Sequence, residues 1–412
     1  MTLPHVIRDP VHGYVRLGDD EIRGLDTPEV QRLRGISQLG LTDRVFPGAR
    51  HTRFEHALGT LEVSSRIFEE LRGRLGVAAI LELLGLPDAV PEYEHLRAVA
   101  RWASLLHDIG HAPFSHVTEE LLPSGTDHET RTVELFESGE IGRVVRECGV
   151  ALAEDVRAVL VGGPSLPRPL RFVREVLAGP LGADRMDYLL RDSHSTGVSY
   201  GVFDLSRVLH TLEPVECDEE PRVRLGIRRG GVLAAEGMLW ARFSMFQQVY
   251  LHRTRRILDR HLNDFLRATL PGGTYPRDLD EYLKYDDARI WEHLRLAHED
   301  GHAPGHRDAH RILRRAHHRS VDQELTSDDP NLLRGWLDQW RERVESEDPG
   351  ADPITDLVLP HADADSGSTL PVIGAGGAVV PLENTSSLVG RFRLRPLGRL
   401  YVAPGHPVRP WP

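Results

Sequence analysis

Apolar side chains recur at helical spacing through most of this chain, and they predict a mainly all-α bundle. Leu96, Val99, Ala100, Ala103 and Leu106 trace the apolar face of one helix, which Gly110 and Pro113 then break. Asp26-Thr27-Pro28 opens another, which carries Val30, Leu33, Ile36 and Leu39 inward and has Gln38 near its end. Leu58, Leu61, Phe68 and Leu71 stripe a third, entered from a loop at residues 45–56. Residues 156–181 read as helix interrupted by Gly162-Gly163-Pro164, and one long helix is expected over about 234–266. Strand-like alternation is confined to a short hairpin at residues 7–17, a strand at 222–227 and another at 392–402. Residues 271–345 look helical and strongly charged, whereas 346–385 are rich in Asp, Pro, Gly and Ser and read as linker or loose loops. The expected division is a core over residues 1–270, a helical extension over 271–345, and a linker with a small β-containing segment over 346–412.

Composition narrows the classes. The 412 residues suffice for one large domain or two. Asp and Glu number 62 against 50 Lys and Arg, a net charge of −12, so there is no general attraction to nucleic acid. A local basic patch such as Arg307 to Arg319 is the feature that could still support such binding. Cys148 and Cys217 are the only cysteines; they argue against a disulfide framework or thiolate cluster and fit a reducing cytoplasm. No apolar run reaches the length of about 18 residues that a membrane helix needs. Residues 1–10 carry no apolar signal core, so a cytoplasmic protein without a membrane partner is expected.

The candidate chemistry begins where the first helix ends, at His107-Asp108. Adjacent helical residues lie about 100° apart, so both side chains can lean towards one point. An imidazole beside a carboxylate suits a borderline or hard divalent cation. Asp184, Tyr188 and Asp192 fall at i, i+4 and i+8 on one helix face; the helix dipole accounts for Asp184 but not for Asp192. Taken singly, His56 reads as a capping or packed histidine, and Gln31 and Arg34 as solvated surface. His306 and His310 have the i, i+4 spacing of two zinc ligands, but they sit among Arg307, Arg311, Arg314 and Arg315 and read as surface. Together, His56, His107, Asp108 and Asp184 supply four N/O ligands, a donor set that activates water on a phosphate.

These residues carry a resemblance. The pattern H…HD…D is joined by Asp9-Pro10-Val11-His12-Gly13, by Asp26-Thr27-Pro28 with Gln31-Arg32-Leu33-Arg34, by residues 45–59, by residues 107–116 and by residues 184–192. In this order they resemble the HD-domain metal-dependent phosphohydrolases, and within them the deoxynucleoside triphosphate triphosphohydrolase branch, over roughly residues 5–325. The resemblance implies a helical HD bundle with small β-hairpins and a small C-terminal α/β extension. It implies a divalent cation (Mg, Mn, Fe, Co or Zn) on His56, His107, Asp108 and Asp184, and cleavage of a dNTP to deoxynucleoside and inorganic triphosphate.

The same resemblance assigns further roles. Arg53, Arg185 and Arg242 would meet the phosphates, with His111 and His128 lining the phosphate pocket. His116 would be the general acid towards the 5′-oxygen, oriented by Glu119, where relatives often have Asp. Gln38 and Asp192 would bind the 3′-hydroxyl, and Tyr188 and Tyr250 would pack on the sugar and exclude a 2′-hydroxyl. Asp26, Gln31 and Arg34 match residues that recognise a guanine nucleotide effector between subunits, which implies a regulated homo-oligomer, dimer or tetramer. Arg8 and His5 stand where relatives use an asparagine and a lysine for effector contacts. The alternatives are a phosphatase acting on nucleoside mono- or diphosphates or other small phosphate esters, and a nucleotide-sensing or nucleic-acid-binding regulator.

Overall fold

The structure, a computed structural model, describes residues 5–217, 222–359, 370–392 and 394–406. The expectations for residues 1–4, for 360–369 and 393, and for 407–412 lie outside the described residues. The chain opens as a hairpin of β1 (His5–Asp9) and β2 (Gly13–Leu17), paired antiparallel as the sequence predicts. Then come α1 (Asp19–Leu25) and α2 (Pro28–Gln31). The predicted continuation of α2 to Leu39 does not form. The chain tightens to a 3₁₀ turn at Arg32–Gly35, and Ser37 bridges to Thr52. Gly35 lies so close to Asp286 that a Cβ there would come within 2.9 Å of its carboxylate. Val30, Leu33 and Ile36 are nevertheless buried, so the apolar spacing was met by a different backbone path.

The central layer is α3 (Arg53–Leu75), α4 (Val77–Leu84) and α5 (Val90–Leu106). A capping box between Thr52 and Glu55 starts α3, and Gly76 in a positive-φ conformation ends it. Around these pack α6 (His128–Ser138), α7 (Glu140–Cys148), α8 (Val150–Val161), α9 (Arg168–Ala178) and α10 (Ala183–Thr196). The break between α8 and α9 falls at the Gly-Gly-Pro signal. Phe54, Leu61, Phe68, Tyr93, Leu105, Phe172 and Met186 belong to one large core shared by these helices.

The chain continues through α11 (Leu205–Thr211), β3 (Leu212–Cys217), β4 (Arg222–Arg228) and α12 (Val232–Met245). The single long helix expected over 234–266 is broken. α12 loosens into a π turn at Phe246–Tyr250, and α13 (Arg253–Thr269) restarts after His252, whose Nδ1 accepts from the Thr254 amide. No Gly or Pro marks this break, so apolar periodicity runs through it unchanged. Then follow α14 (Leu279–Leu283), α15 (Asp287–Glu299) and α16 (His306–Leu313), which build a second core with Phe114, Leu262 and Phe265.

The region read as wholly helical also contains β5 (Arg319–Thr326), followed by α17 (Pro330–Glu347). The segment read as linker holds β6 (Ile354–Val358), β7 (Pro371–Ile373) and β8 (Val379–Pro381). The last strand, β9 (Leu397–Val402), is buried at every position, so it shows no surface alternation. β9 is the middle of an antiparallel sheet in the order β5-β9-β6, while β7 joins β4 in parallel in the sheet β3-β4-β7-β8. A third core forms where α17 covers the first of these sheets, with Trp340 fully buried. No helix among the described residues is long and apolar enough to cross a membrane.

Candidate metal centre and cleft

Three helices deliver the central cluster. His56 projects from the first turn of α3, His107 caps the C-terminus of α5 with Asp108 beyond it, and Asp184 lies in the first turn of α10. His56 Nε2 is 3.1 Å from Asp184 and 3.6 Å from Asp108; His107 Nε2 is 3.5 Å from Asp108 and 3.8 Å from Asp184. The structure thus brings all four sequence-predicted ligands together.

The imidazoles are held in the orientation a cation needs. A carboxylate or carbonyl can only accept, so His56 Nδ1 donates to Asp187 at 2.7 Å and His107 Nδ1 donates to the Ser104 carbonyl at 2.8 Å. Both Nε2 atoms are left facing the carboxylates, and that of His107 is buried with no hydrogen-bond partner. Burial by itself would lower the His56 imidazole, but hydrogen bonds with Asp184 and Asp187 and the field of Asp108 raise it to about 10. A divalent ion would take the place of the extra proton, since metal binding to a titrating ligand releases protons. Asp108 is also ion-paired with Arg53. Although burial opposes its ionisation, Arg53, His107 and His111 hold its carboxyl well below the usual carboxylate range. Two imidazoles and two carboxylates fit a divalent cation, and these residues could hold one.

Sequence reasoning missed the group beneath this cluster. Asp187 is fully buried and accepts from His56, from His12 Nε2 at 2.6 Å, and from Arg191 Nε and Nη2 at 2.9 and 2.8 Å. Arg191 reaches on to Asp9 at 2.9 Å, and Asp9 accepts from the amides of Val11 and His12. A buried ion network is tolerable only when each member is satisfied, and this one ties the hairpin β1–β2 to the back of the cluster. Gly59 makes the approach possible, because a Cβ there would lie 1.8 Å from Asp187 Oδ1. The signal was present, three residues after Asp184 and inside the quoted Asp9–Gly13 motif. It takes the folded hairpin to connect the two.

A second set stands beside the first. His111, His116 and His128 have ligand-capable atoms within 4.8 Å of one another, as do His56, His107 and Asp108. His111 stacks on His128 with ring centroids 4.0 Å apart, and both meet His116 edge-on. Glu119 accepts from His116 Nδ1 at 2.9 Å and, more tightly, from His128 Nδ1. Burial opposes the Glu119 charge, yet these two imidazoles hold the carboxyl well below its ordinary range, and Glu119 in turn raises His128. His111 is driven well down by burial and by Arg53. The surrounding protein also lowers His116 against the pull of Glu119, although its side chain is 62% exposed and solvent screens the effect.

The turn that delivers His116 is unusual. Phe114 and Ser115 both adopt positive φ, at 60° and 63°, which non-glycine residues rarely do. The Phe114 amide donates to Asp287 on α15 at 2.7 Å. Ser115 Oγ donates to the Ser37 carbonyl at 2.5 Å and accepts from Arg53 Nε at 2.7 Å. Distant elements therefore hold a strained turn in place.

The far wall carries the remaining predicted residues. Tyr250, on the π turn, donates to Asp192 Oδ2 at 2.6 Å, and His51 Nε2 contacts Asp192 Oδ1 at 2.7 Å. Tyr188 and Tyr250 meet edge-on at 6.4 Å, and Tyr188 feels the charges of Arg242, Arg185, Asp184 and Asp192. Gln38 Oε1 is buried without a partner, ready for a donor. Asp26 at the end of α1 and Arg34 on the 3₁₀ turn are exposed, and Gln31 at the end of α2 is half-buried. The Gln31 amide bridges the Leu25 carbonyl and Arg34 Nε, and the Arg34 guanidinium lies 3.5 Å over the Phe54 ring.

A helical bundle with paired His and Asp ligands at the ends of its helices defines a class of metal-dependent hydrolase. Residues 53–158 match the HD domain and residues 203–394 the HD associated region. The chain belongs to the HD-domain phosphohydrolases. An uncharacterised protein of Methanocaldococcus jannaschii is 37% identical over 300 residues, which are 71% of this chain and 55% of that one. The human deoxynucleoside triphosphate triphosphohydrolase SAMHD1 is 31% identical over 326 residues, 68% of this chain and 49% of the relative. The chain spans about half the length of the curated relatives it matches. A hypothetical protein from Aquifex aeolicus superposes with a TM-score of 0.78 at 30% identity, covering 97% of both chains. A Bacteroides thetaiotaomicron phosphohydrolase shares the fold, with a TM-score of 0.73 at 24% identity over 97% of this chain and 100% of that one. HD domains bind divalent metals, and the His56, His107, Asp108 cluster is the candidate centre here.

Proposed function

We propose that this protein hydrolyses deoxynucleoside triphosphates to deoxynucleoside and inorganic triphosphate. The observation that carries the reading is the pair of Nε2 atoms of His56 and His107, each fixed from behind and turned towards Asp108 and Asp184. His56, His107, Asp108 and Asp184 would hold a divalent ion, which would supply Lewis-acid chemistry towards phosphoryl charge and water. Arg53, Arg185 and Arg242 offset the charge of the triphosphate. His116 holds a proton for the departing 5′-oxygen and Glu119 fixes its ring, while His111 and His128 line the phosphate path. Asp192 and Gln38 accept and orient the sugar hydroxyl.

The relatives named as deoxynucleoside triphosphate triphosphohydrolases support this substrate class. The assay is product analysis with all four dNTPs after the bound metal has been measured. Inorganic triphosphate as the phosphorus product is expected; orthophosphate release instead would make the protein a phosphatase of smaller phosphate esters.

Tyr250 carries the sugar specificity. Its hydroxyl is tied to Asp192 and its ring edge meets Tyr188, so the pair walls off the space a 2′-hydroxyl would need. Tyr250→Ala is expected to raise NTP turnover relative to dNTP by roughly tenfold, the scale of one steric contact of about 1.4 kcal/mol. An unchanged dNTP/NTP ratio would remove the residue from this role.

Regulation is the third part of the reading. Asp26, Gln31 and Arg34 form an outward strip whose carboxylate can accept from guanine N1–H and amine and whose guanidinium can donate to its carbonyl. Arg34 stacks on Phe54, the neighbour of Arg53, which links the strip to the phosphate wall. A guanine nucleotide there is expected to enlarge the oligomer and raise dATP hydrolysis. The same mass and the same rate with and without GTP or dGTP would leave these residues as ordinary surface.

A further inference from the structure

Where the π turn passes into α13, three backbone carbonyls take side-chain donors. The end of a helix leaves its last carbonyls without intrahelical partners, and here one helix stops and the next starts within a few residues. Arg255 Nη1 donates to the Tyr250 carbonyl at 2.6 Å, Arg399 Nη1 to the Leu251 carbonyl at 2.6 Å, and the Tyr401 hydroxyl to the Arg253 carbonyl at 3.1 Å. Arg255 is local to α13. Arg399 and Tyr401 belong to β9, 148 positions along the chain from the carbonyls they meet.

The period of a strand explains the arrangement. Side chains alternate between the faces of β9, so Leu400 and Val402 enter the third core under α17 while Arg399 and Tyr401 point to the other side. That other side meets the start of α13 and the π turn, which is why both polar residues are buried. Across the sheet, Arg399 lies between Glu324 on β5 and Asp356 on β6. Glu324 accepts from Arg399 Nε at 2.6 Å and so aims the guanidinium. Asp356 holds Arg256, in the first turn of α13, by two hydrogen bonds. One row of the sheet thus grips both the end of the π turn and the helix that follows it.

We propose that Arg399, with Tyr401 beside it, is a positioning residue for sugar discrimination: the C-terminal sheet fixes the π turn, and the π turn fixes Tyr250. The inference rests on the reading of Tyr250 as the wall against a 2′-hydroxyl. The Tyr250 ring is tethered at its tip by the bond from its hydroxyl to Asp192. The clamp on the Tyr250 and Leu251 carbonyls tethers the other end, so the ring cannot back away from Tyr188 when a larger sugar presses on it. A steric wall discriminates only while its distance is held, and a displacement of about 1 Å is enough to undo such a contact. Arg399 directs its donors to Glu324 and a backbone carbonyl, so it acts through the turn.

The test compares kcat/KM for dNTP and NTP in the full-length parent, Arg399→Met, Arg399→Lys, Tyr250→Ala and the Arg399→Met/Tyr250→Ala double variant. Amide hydrogen exchange over residues 246–256 is followed alongside. Arg399→Met is expected to lower the dNTP/NTP preference roughly threefold, the scale of one net hydrogen bond, and to speed exchange over the π turn. Arg399→Lys, which keeps a charged donor, is expected to recover most of both. In the Tyr250→Ala background Arg399→Met is expected to leave the ratio where it is, because the two act through one contact. The Glu324 side chain left behind is 48% exposed and stays hydrated, so the fold persists. Tyr401→Phe removes a single hydroxyl, is expected to move the ratio the same way, and decides the matter if Arg399→Met is unstable. A ratio unmoved in Arg399→Met but moved in Tyr250→Ala overturns the positioning role alone, even if exchange is faster. An equal fall in ratio with and without Tyr250 overturns it too. A ratio unmoved in Tyr250→Ala overturns the reading of Tyr250 and the positioning role with it.

Discussion

Replacing His107 by alanine is expected to abolish both divalent-cation binding and hydrolysis while the bundle stays folded. The His107 imidazole makes one hydrogen bond, to the Ser104 carbonyl, and is 15% exposed at the mouth of the cleft. Losing that bond costs about 1 kcal/mol, small beside the stability of a domain this size. Asp108→Ala is a poorer test. It strands the buried Arg53 charge, and breaking a buried pair from one side costs about 3–5 kcal/mol, enough to confuse unfolding with lost ligation. The measurement is metal content and turnover of His107→Ala beside a circular-dichroism melt. Full activity in a metal-depleted, folded His107→Ala protein would falsify the centre.

His116→Ala is expected to keep the cation and lose about 10²–10⁴-fold in turnover, the usual worth of a general acid. The substitution touches none of the four candidate ligands, and the ring it removes is mostly exposed. The pH profile separates an acid from a packing residue. Because the packed cleft around it and the charges of Arg53 and His128 lower His116 below the ordinary histidine value of about 6.5, an effect that solvent screens at this exposed ring, its protonated form in the free protein is lost as pH rises through that lowered pKa. kcat/KM of the parent should therefore decline along that limb, and the decline should be missing in His116→Ala. If instead the rate and the profile are the same in both proteins, His116 merely packs against His111 and His128.

The helices were legible where apolar spacing and punctuation agree. Leu96 to Leu106 ends at the Gly110 and Pro113 signal, and Gly162-Gly163-Pro164 separates α8 from α9. They were illegible where tertiary contacts overrule spacing without a marker residue. Nothing in Phe246 to His252 announces a π turn, and the strand β5 is held by pairing with β9 some 75 residues away at its Glu324–Arg399 contact. For the cleft, a motif read in chain order names the side chains that point inward, which is why His56, His107, Asp108 and Asp184 could be grouped before any coordinates. Asp187, His12 and Arg191 escaped because their purpose lies behind the ligands. They set the tautomer and orientation of His56, and that depends on how a hairpin packs on α10.

Residues 53–158 contain His56, His107, His111, His116 and His128, which invites the notion of a portable catalytic cassette. The left-handed pair at Phe114 and Ser115 argues otherwise. Each such backbone costs of order 1–3 kcal/mol and persists only where its surroundings over-determine it. Part of the restraint is Asp287, whose carboxylate receives the Phe114 amide from 173 positions further along the chain and also takes the Ser37 amide and hydroxyl. A fragment or chimaera that ended before Asp287 would keep every imidazole of the cleft and lose the clamp on this turn. The turn would relax into an ordinary right-handed or extended bend and re-aim the 3₁₀ segment Ser115–Leu121, which carries His116 and Glu119 together, relative to Arg53 and His111. Asp287 and the turn are thus one mechanical unit despite their distance in sequence.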